Sequence, residues 1–359
     1  MRTLFTKLMA TGKSLGDVIE GHMYIGVKTG LNEAFIINQA TRDRLVKDDA
    51  SYVAIIKPML RGEDLRPWYQ ENEGRWLICI PNGWTMQTFP GTEPTEASAW
   101  KKLSAYHPGL ATYLEPFAEA ARKRQDKGQF WWELRPCDYY EVFESPKLLF
   151  PDIAKKPRFS WGEPGIYLGN TGYCIPADSY SLFGILSSRT LWYVLTYISQ
   201  PLGERAGALI YRLFRQHMER LPIPPLTDTQ CDNISKLAKQ LTETAKQRYE
   251  VRRKTTHRIE LDLGTSQAKL NQRLTSWWEL SFKEFREELM KVFKHDISLK
   301  DRDDWEALLI ERTTEIRRLT DEIVRLETEL NEAVYDAFGL DAEERKLIEQ
   351  ETKCQYGEW

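Results

Sequence analysis

The run LPIPP at residues 221–225 divides the sequence into two parts of different character. Its three prolines lack the backbone N–H that a helix interior requires, and their rings clash with the preceding turn, so a helix reaching this run must end there. Short apolar segments separated by glycine, proline and acidic clusters precede it, and segments with helical periodicity follow it. We therefore predict an α+β fold, with a mixed-sheet domain at 1–225 and a helical spacer or coiled-coil domain at 226–359.

The first part has the composition of an irregular, mixed β-sheet. Its strand-like runs lie at 23–27, 34–37, 53–56, 76–80, 147–150 and 165–175. The residues KTGLN at 28–32 separate the first two runs and are typical of a tight turn, so we expect these two strands to form a hairpin.

Three helical segments interrupt or follow these strands. Pro94 and Thr95 can start a helix over about 95–124, whose apolar stripe is broken by Pro108 and Pro116. Towards the proline run the alternation of strands disappears, and two further helices are predicted at 179–199 and 204–220.

The part after residue 225 is predicted to be almost entirely helical. Apolar residues at three- and four-residue steps predict a helix from Thr227 to about Ile259. The residues Ile316, Leu319, Ile323, Leu326, Leu330 and Val334 repeat a 3-4 alternation. This alternation is typical of coiled-coil packing against a neighbouring helix. Gly339 then ends that helix, and Asp341 opens a short final one.

The formal net charge of -3 hides an uneven distribution. Residues 301–359 hold 18 acidic and 8 basic side chains, a balance of -10, which leaves +7 for residues 1–300. The sequence therefore has a basic body and an acidic tail, and the body is compatible with a polyanionic partner.

Cysteine usage and hydropathy predict a cytoplasmic protein without membrane contact. The five cysteines are Cys79, Cys137, Cys174, Cys231 and Cys354; they form no CxxC pair, so we expect reduced thiols. The most membrane-like run, 181–200, contains Arg189 and ends at Pro201, which favours a buried or amphipathic helix over a span.

Catalytic motifs are incomplete, and we predict no catalytic, cofactor-binding or metal-binding residue. The ATGKS at 10–14 lacks the first glycine of a phosphate-binding loop, because Lys7 occupies that position. Pro151-Asp152 could begin a metal-dependent nuclease motif, but Glu163 is followed by Pro164-Gly165 and no lysine. Two Arg-x4-His spacings, at 212–217 and 252–257, fall on predicted helices and are expected by chance in a chain this basic.

Cations and aromatic rings are interleaved at 122–135, a mixture that suits nucleic acid because cations meet phosphates while rings and guanidinium planes meet bases. The alternative is a solvated helix end followed by a core strand, and we expect at least one of Trp131 and Trp132 to be core. Two further basic groups lie in turn-rich segments near 61–66 and 155–158. The candidate DNA-binding residues are Arg61, Arg66, Arg122, Lys123, Arg124, Lys127, Trp131, Arg135, Lys155, Lys156 and Arg158.

Several segments in a fixed order resemble a known family. They are GVKTGLNEAFII (26–37), IIKPMLRGEDLRPWY (55–69), YHPGLATYLEPF (106–117), WWELR (131–135) and ESPKLLFPDI (144–153). Their order resembles the C-terminal target-recognition region of TaqI-like type IIG restriction-modification enzymes, an architecture also found in BREX phage-defence methyltransferases. The predicted helix pair ending in LPIPP (221–225) is also similar to the close of a recognition domain in type I specificity subunits, after which a long spacer helix begins. The segments VYDAFGLDAEERKLIE (334–349) and YGEW (356–359) look like the usual ending of these enzymes.

The resemblance implies that the chain recognises a short sequence in double-stranded DNA and positions a methyltransferase or nuclease core. In the family that core carries an Asn-Pro-Pro-aromatic motif and uses S-adenosylmethionine for adenine N6 methylation, and neither the motif nor its glycine-rich loop occurs in these residues. We therefore expect the core in the same gene product or a separate subunit. Two alternatives stay open: an interaction scaffold acting through the 316–334 heptads, and a stand-alone nuclease.

Overall fold

A computed structural model describes residues 2–205, 207–265, 269–352 and 357. Its strands are β1 (Lys13–Ser14), β2 (Tyr24–Ile25), β3 (Ile36–Asn38), β4 (Ile56–Leu60), β5 (Arg75–Ile78), β6 (Lys147–Pro151), β7 (Ile153–Ala154), β8 (Ser160–Gly162), β9 (Tyr167–Leu168), β10 (Gly172–Pro176), β11 (Pro201–Arg205), β12 (Ala208–Arg212) and β13 (Pro222–Ile223). Its helices are α1 (Arg2–Met9), α2 (Leu15–Val18), α3 (Asn32–Phe35), α4 (Gln39–Asp48), α5 (Trp84–Thr88), α6 (Glu96–Tyr106), α7 (Pro108–Leu114), α8 (Ala118–Lys123), α9 (Tyr180–Leu186), α10 (Arg189–Ile198), α11 (Arg215–Met218), α12 (Asp228–Leu263), α13 (Gln272–Thr275), α14 (Phe282–Phe293), α15 (Arg302–Ala337) and α16 (Ala342–Thr352).

The strands before residue 225 form small sheets of mixed direction, which together with the later helices confirms the predicted α+β class. One sheet has the order β2-β10-β6-β8 and is antiparallel throughout. A second, β3-β5-β4-β9, combines antiparallel pairs with the parallel pair β4–β9. A three-stranded sheet, β11-β12-β7, lies beside them, and β1 pairs with β13.

The expected hairpin around residues 28–32 is wrong, because β2 and β3 belong to different sheets. The loop satisfies its own polar groups: the Thr29 hydroxyl donates to Asn32 Oδ1 at 2.7 Å and accepts from the Leu31 N–H at 3.2 Å. Asn32 then begins a turn of helix, which carries the chain to the second sheet instead of returning it beside β2.

The helical interruption at 95–124 is confirmed as a series of short helices. The Thr95 hydroxyl caps α6 by accepting from the Ser98 N–H at 3.3 Å. Pro108 occupies the first turn of α7, where its missing N–H costs nothing, and Pro116 lies in the 3-10 turn that joins α7 to α8.

The two helices predicted just before the proline run are only partly correct. The first is divided into α9 and α10, because the Ser188 side chain caps a new helix. The second, predicted at 204–220, is wrong: the strands β11 and β12 form an antiparallel hairpin, and only the short α11 is helical. Gly207 has a φ of 71°, which helical geometry excludes, and β12 pairs with β7 far upstream, Tyr211 with Ala154 and Arg212 with Ile153.

The proline run itself forms the strand β13, whose Pro222 pairs with Ser14 of β1. Thr227 and Gln230 then form a capping box that begins α12. The N-terminal residues of the chain therefore pack directly on the predicted boundary.

Helices α12 and α15 form a long antiparallel pair. Ile234, near the start of α12, and Leu330, near the end of α15, both contact Gly184 of α9, while Arg258 near the other end of α12 lies over the Trp305 ring. The six heptad residues from Ile316 to Val334 are all buried within the chain. The apolar face on which the scaffold alternative depends is thus covered by the protein's own helices.

Among the residues that the structure describes, three hydrophobic clusters fill the interior. One lies within residues 27–174, and another joins the helices around α13 to α15. The largest combines residues from both sides of residue 225, including Trp192 and Leu195 of α10 with Leu237 and Leu241 of α12.

Four of the cysteines, Cys79, Cys137, Cys174 and Cys231, are free thiols. Burial raises the pKa of Cys79 and of Cys174 to about 12, so both stay protonated at neutral pH. Cys354 and most of the terminal YGEW lie outside the described residues. Within the described ranges, no helix combines the length and the apolar character needed to cross a bilayer.

Candidate nucleic-acid interface

The structure brings two of the predicted basic groups together around one groove. Arg66 and the cations of residues 155–158 face the β11–β12 hairpin across a cavity of about 480 Å³, which we call the basic groove. Its lining residues are Glu63, Arg66, Pro67, Ile153, Ala154, Lys155, Lys156, Arg158, Arg205 and Ile210. Five of these side chains are cationic and one is acidic, so the groove has the charge expected for an anionic ligand.

Arg158 and Arg66 hold one wall of the basic groove. Arg158 donates from Nε to the Leu65 carbonyl at 2.8 Å and from Nη2 to the Glu63 carbonyl at 3.0 Å. Arg66 forms an ion pair with Glu71 at 2.5 Å. Burial lowers the pKa of Arg158, and the adjacent Arg66 cation lowers it further. A bound anion would relieve this crowding of like charges.

Arg61 lies next to this wall but does not line the basic groove. Its backbone N–H donates to the buried Asp64 carboxylate at 2.7 Å, and its guanidinium contacts Glu63 at 3.4 Å. Asp64 is neutralised by Arg75 at 2.9 Å. Arg61 therefore has an exposed charge, attached to a well-anchored turn.

Three cations of the 122–135 stretch form a second exposed group. Arg122 pairs with Glu96 at 2.7 Å, and Lys123 with Glu119 at 2.5 Å. Lys127 donates to the Arg122 carbonyl. Such exposed ion pairs contribute little to stability, so these side chains can exchange their partners for phosphates at low cost.

Arg124 and Trp131, by contrast, are buried, which corrects their assignment as DNA contacts. Arg124 donates to the carbonyl oxygens of Thr29, Trp131 and Glu133, and it is only 7% exposed. Trp131 is 2% exposed. These two side chains organise the backbone and fill the core.

Trp132 is also core, and its neighbour Glu133 explains why this stretch is so ordered. The Trp132 indole donates to the Thr85 hydroxyl at 2.9 Å. The fully buried Glu133 carboxylate accepts from the backbone N–H groups of Gly83 and Thr85, each at 3.0 Å. The expectation that at least one of the two tryptophans is core is therefore confirmed for both.

Arg135 is half-exposed and shares Asp126 with Lys28. The Arg135 guanidinium lies 3.7 Å from Asp126, and Lys28 lies 2.9 Å from the same carboxylate. Through this carboxylate the turn at 28–32 joins the second basic group. Neighbouring turns connect this turn to the first basic group. The N–H of Gly26, just before the turn, donates to the Gly172 carbonyl, and the N–H of Gly62 donates to the Thr171 hydroxyl.

Sequence reasoning missed Arg205, because it assigned residues 204–220 to a helix. Arg205 ends strand β11 and lines the basic groove. A usable indication was present: glycines at 203 and 207 flank it, and the β-branched and aromatic residues at 210 and 211 follow.

The two acidic residues of the incomplete nuclease motif, Asp152 and Glu163, have separate partners. Asp152 is half-buried, which raises its pKa, and its backbone bonds to Thr171 and Leu213. Glu163 points towards Lys246 at 4.0 Å. Among the residues that the structure describes, no group of three or more His, Cys, Asp or Glu could hold a metal ion.

Comparison with known proteins identifies the region that contains the basic groove. Residues 57–223 match a TaqI-like C-terminal specificity domain, and residues 227–334 match a domain of unknown function, DUF8810. The chain is 23% identical over 210 residues to the type II methyltransferase M.BanIII of Aneurinibacillus aneurinilyticus, an alignment that covers 56% of this chain and 34% of the relative.

Two solved structures overlap nearly the whole chain. The type IIL restriction-modification enzyme MmeI in complex with DNA matches 91% of this chain and 35% of its own, with a TM-score of 0.47 and 14% identity. The type IIG restriction endonuclease BpuSI matches 94% of this chain and 33% of its own, with a TM-score of 0.38 and 11% identity. The chain thus spans about a third of the length of these relatives.

Proposed function

We propose, from the premise that residues 57–223 are a TaqI-like C-terminal specificity domain, that this chain recognises a short sequence in double-stranded DNA for a restriction-modification system. The proposal depends on where the residues of the basic groove lie in the sequence. Every residue that lines the basic groove lies inside the matched domain, although the cations come from three separate segments of the chain.

The basic groove supplies the sequence-independent part of binding. Lysine and arginine side chains that contact phosphates release condensed counterions, which makes the affinity fall steeply with salt. Arg66, Lys155 and Lys156 would contact the phosphates of one strand. Arg61 and the exposed cations Arg122, Lys123, Lys127 and Arg135 would extend the contact along the duplex.

The helical part would act as a spacer towards the catalytic core. We place the recognition domain at 1–225 and the spacer at 226–359, and the two matched families meet between residues 223 and 227. The core would be a methyltransferase or nuclease in the same polypeptide or a separate subunit. Adenine N6 methylation with S-adenosylmethionine, on a base flipped out of the duplex, is the associated chemistry. A BREX-type defence system in the cytoplasm is the second setting for the same activity.

Salt-dependent binding tests the basic groove directly. We expect the double variant Lys155→Ala/Lys156→Ala to bind duplex DNA more weakly, and to lower the slope of log affinity against log salt by about 1 for each lysine. Fluorescence anisotropy of a labelled 30-base-pair duplex, titrated at several salt concentrations, measures this slope.

The matched control is Lys283→Ala/Lys300→Ala, which removes the same charge from exposed positions in the helical part. We expect the control to keep the wild-type slope within about 0.5. If both double variants changed the slope equally, the basic groove would not be the DNA-binding surface.

A further inference from the structure

The β11–β12 hairpin, formed by Pro201–Arg205 and Ala208–Arg212, has an unusual surface. Every residue of β11 is exposed, and β11 is the outer strand of its sheet. Leu202 is 42% exposed and Leu209 is 46% exposed. Exposed apolar side chains on an edge strand favour pairing or insertion into another molecule, so proteins usually avoid them unless they have a function.

The base of the hairpin is anchored, and one face is directed into the basic groove. Strand β12 pairs with β7 through Tyr211 and Arg212, and the Tyr211 ring packs edge-on against Trp192 at 5.7 Å. Arg205 pairs with Ala208 across the hairpin, and side chains alternate along a strand, so Arg205 shares the face of Ile210. Both residues line the basic groove.

Arg205 differs from the other arginines of the basic groove in its lack of partners. Arg66 and Arg158 are held by Glu71 and by backbone carbonyls, respectively. The Arg205 guanidinium has no hydrogen bond or ion pair to any residue in the described ranges, while its backbone carbonyl accepts from the Lys155 ammonium. Its main chain is thus held in place and its side chain is left available.

We infer that this hairpin enters the major groove of duplex DNA and that Arg205 reads a guanine there. The inference rests on the proposed function and adds the element that reads sequence. A two-stranded ribbon fits the major groove, which is about 12 Å wide and 8.5 Å deep, and five residues of strand extend about 16 Å. An arginine can donate two hydrogen bonds to guanine O6 and N7, which is the commonest specific base contact.

The charge around the hairpin favours DNA over a protein partner. Lys155, which donates to the Arg205 carbonyl near the turn of the hairpin, and Lys156 both line the basic groove and would meet phosphates of one strand beside the major groove. Leu209 pairs with Glu204 on the face of the hairpin opposite Arg205, so it would contact sugars along the wall of the major groove instead of the base edge that Arg205 reads.

In vitro selection from a random duplex library tests the inference with the full chain. We expect the wild type to enrich a motif with a fixed G·C pair, and Arg205→Ala to lose preference at that one position by about 10- to 100-fold. Arg205→Lys should weaken the same preference, because an ammonium lacks the rigid planar fork that matches guanine O6 and N7. The control Arg317→Ala removes an exposed arginine from α15 and should enrich the wild-type motif.

A second measurement uses only the wild-type chain. Methylation of guanine N7 in the selected duplex should block binding at the G·C position assigned to Arg205, since N7 lies in the major groove. If the wild type had no affinity for duplex DNA, or bound it without enriching any motif, the proposed function itself would be overturned. If Arg205→Ala enriched the same motif as the wild type, or bound all sequences more weakly to the same extent, the proposed function would stand and the role of Arg205 would be overturned. If the wild type were a dimer and Leu209→Asp made it monomeric, the hairpin would be a contact with a second copy of the chain, and the inference would also be overturned.

Discussion

Arg124 and Arg158 are cations in basic segments, and both donate to backbone carbonyls instead of remaining as free surface charges. The difference between them is exposure. Arg158 keeps part of its guanidinium at the basic groove, whereas Arg124 is buried beside the Phe35 ring, 4.3 Å from its centre. Burial lowers the pKa of Arg124 to about 10, which leaves it charged at neutral pH. Local composition cannot separate these two roles, because both depend on which carbonyl groups the fold brings nearby.

Replacing Arg124 with methionine should destabilise the fold severely. The substitution keeps much of the side-chain volume but removes the donor of the Thr29 and Trp131 carbonyls, at a cost of about 3 kcal/mol or more, whereas the Glu133 carbonyl keeps the Gly128 N–H as a donor at 3.0 Å. Urea unfolding followed by tryptophan fluorescence measures the loss. The exposed neighbour provides the comparison, and Arg122→Met should change the free energy of unfolding by less than about 1 kcal/mol. Equal effects of the two variants would contradict a buried structural role for Arg124.

At the scale of elements, the sequence predicted those structures whose determinants are local. Thr95, Pro108 and Thr227 mark helix starts through capping and proline geometry, and the observed helices begin beside them. The β11–β12 hairpin was missed although glycines at 203 and 207 gave a local indication of it, because the pairing of Tyr211 with Ala154 of β7 joins distant parts of the chain and has no local pattern. The basic groove was predicted in its parts, since Arg66 and the 155–158 cations were named. The contact between those parts required the tertiary fold.

The start of α12 gives a test at this scale. The Thr227 hydroxyl accepts from the Gln230 N–H at 3.3 Å, and the Gln230 side chain accepts from the Thr227 N–H at 3.0 Å. We expect Thr227→Ala to lower the free energy of unfolding by about 1 kcal/mol, because an N–H at the helix start loses its acceptor. Thr244→Ala, at a half-exposed position in the middle of the same helix where the hydroxyl donates only to the Gln240 carbonyl at 2.8 Å, should be neutral or slightly stabilising, since alanine has the higher helix propensity. Thermal unfolding of both variants measures the difference, and a loss of stability found only in Thr244→Ala would contradict the role of Thr227 as the helix cap.

At the scale of the whole molecule, the parts before and after residue 225 are distinct in sequence but share the largest hydrophobic cluster. The largest cluster contains residues from α1, α9 and α10 together with residues from α12 and α15. Trp68 adds a polar link: its indole donates to the buried carboxylate of Glu327 on α15 at 2.7 Å. Trp68 adopts a positive φ of 74°, which a bulky residue tolerates only when its surroundings hold it there. The same short segment contributes Arg66 and Pro67 to the basic groove, so the link fixes the groove relative to the long helices.

The shared core predicts that both parts unfold together. Urea unfolding should give one transition, at the same midpoint by circular dichroism, which is dominated by the helices, and by tryptophan fluorescence, to which the recognition part contributes strongly. Trp68→Phe should lower that single midpoint for both probes, because an oxygen of the buried Glu327 loses its donor at a cost of about 1–3 kcal/mol. Trp278→Phe, at a half-buried tryptophan of the helical part, is the control for the loss of one fluorophore. Two separate midpoints in the wild type would show that the parts fold independently, and the orientation of the basic groove would then depend on a flexible junction instead of a continuous core.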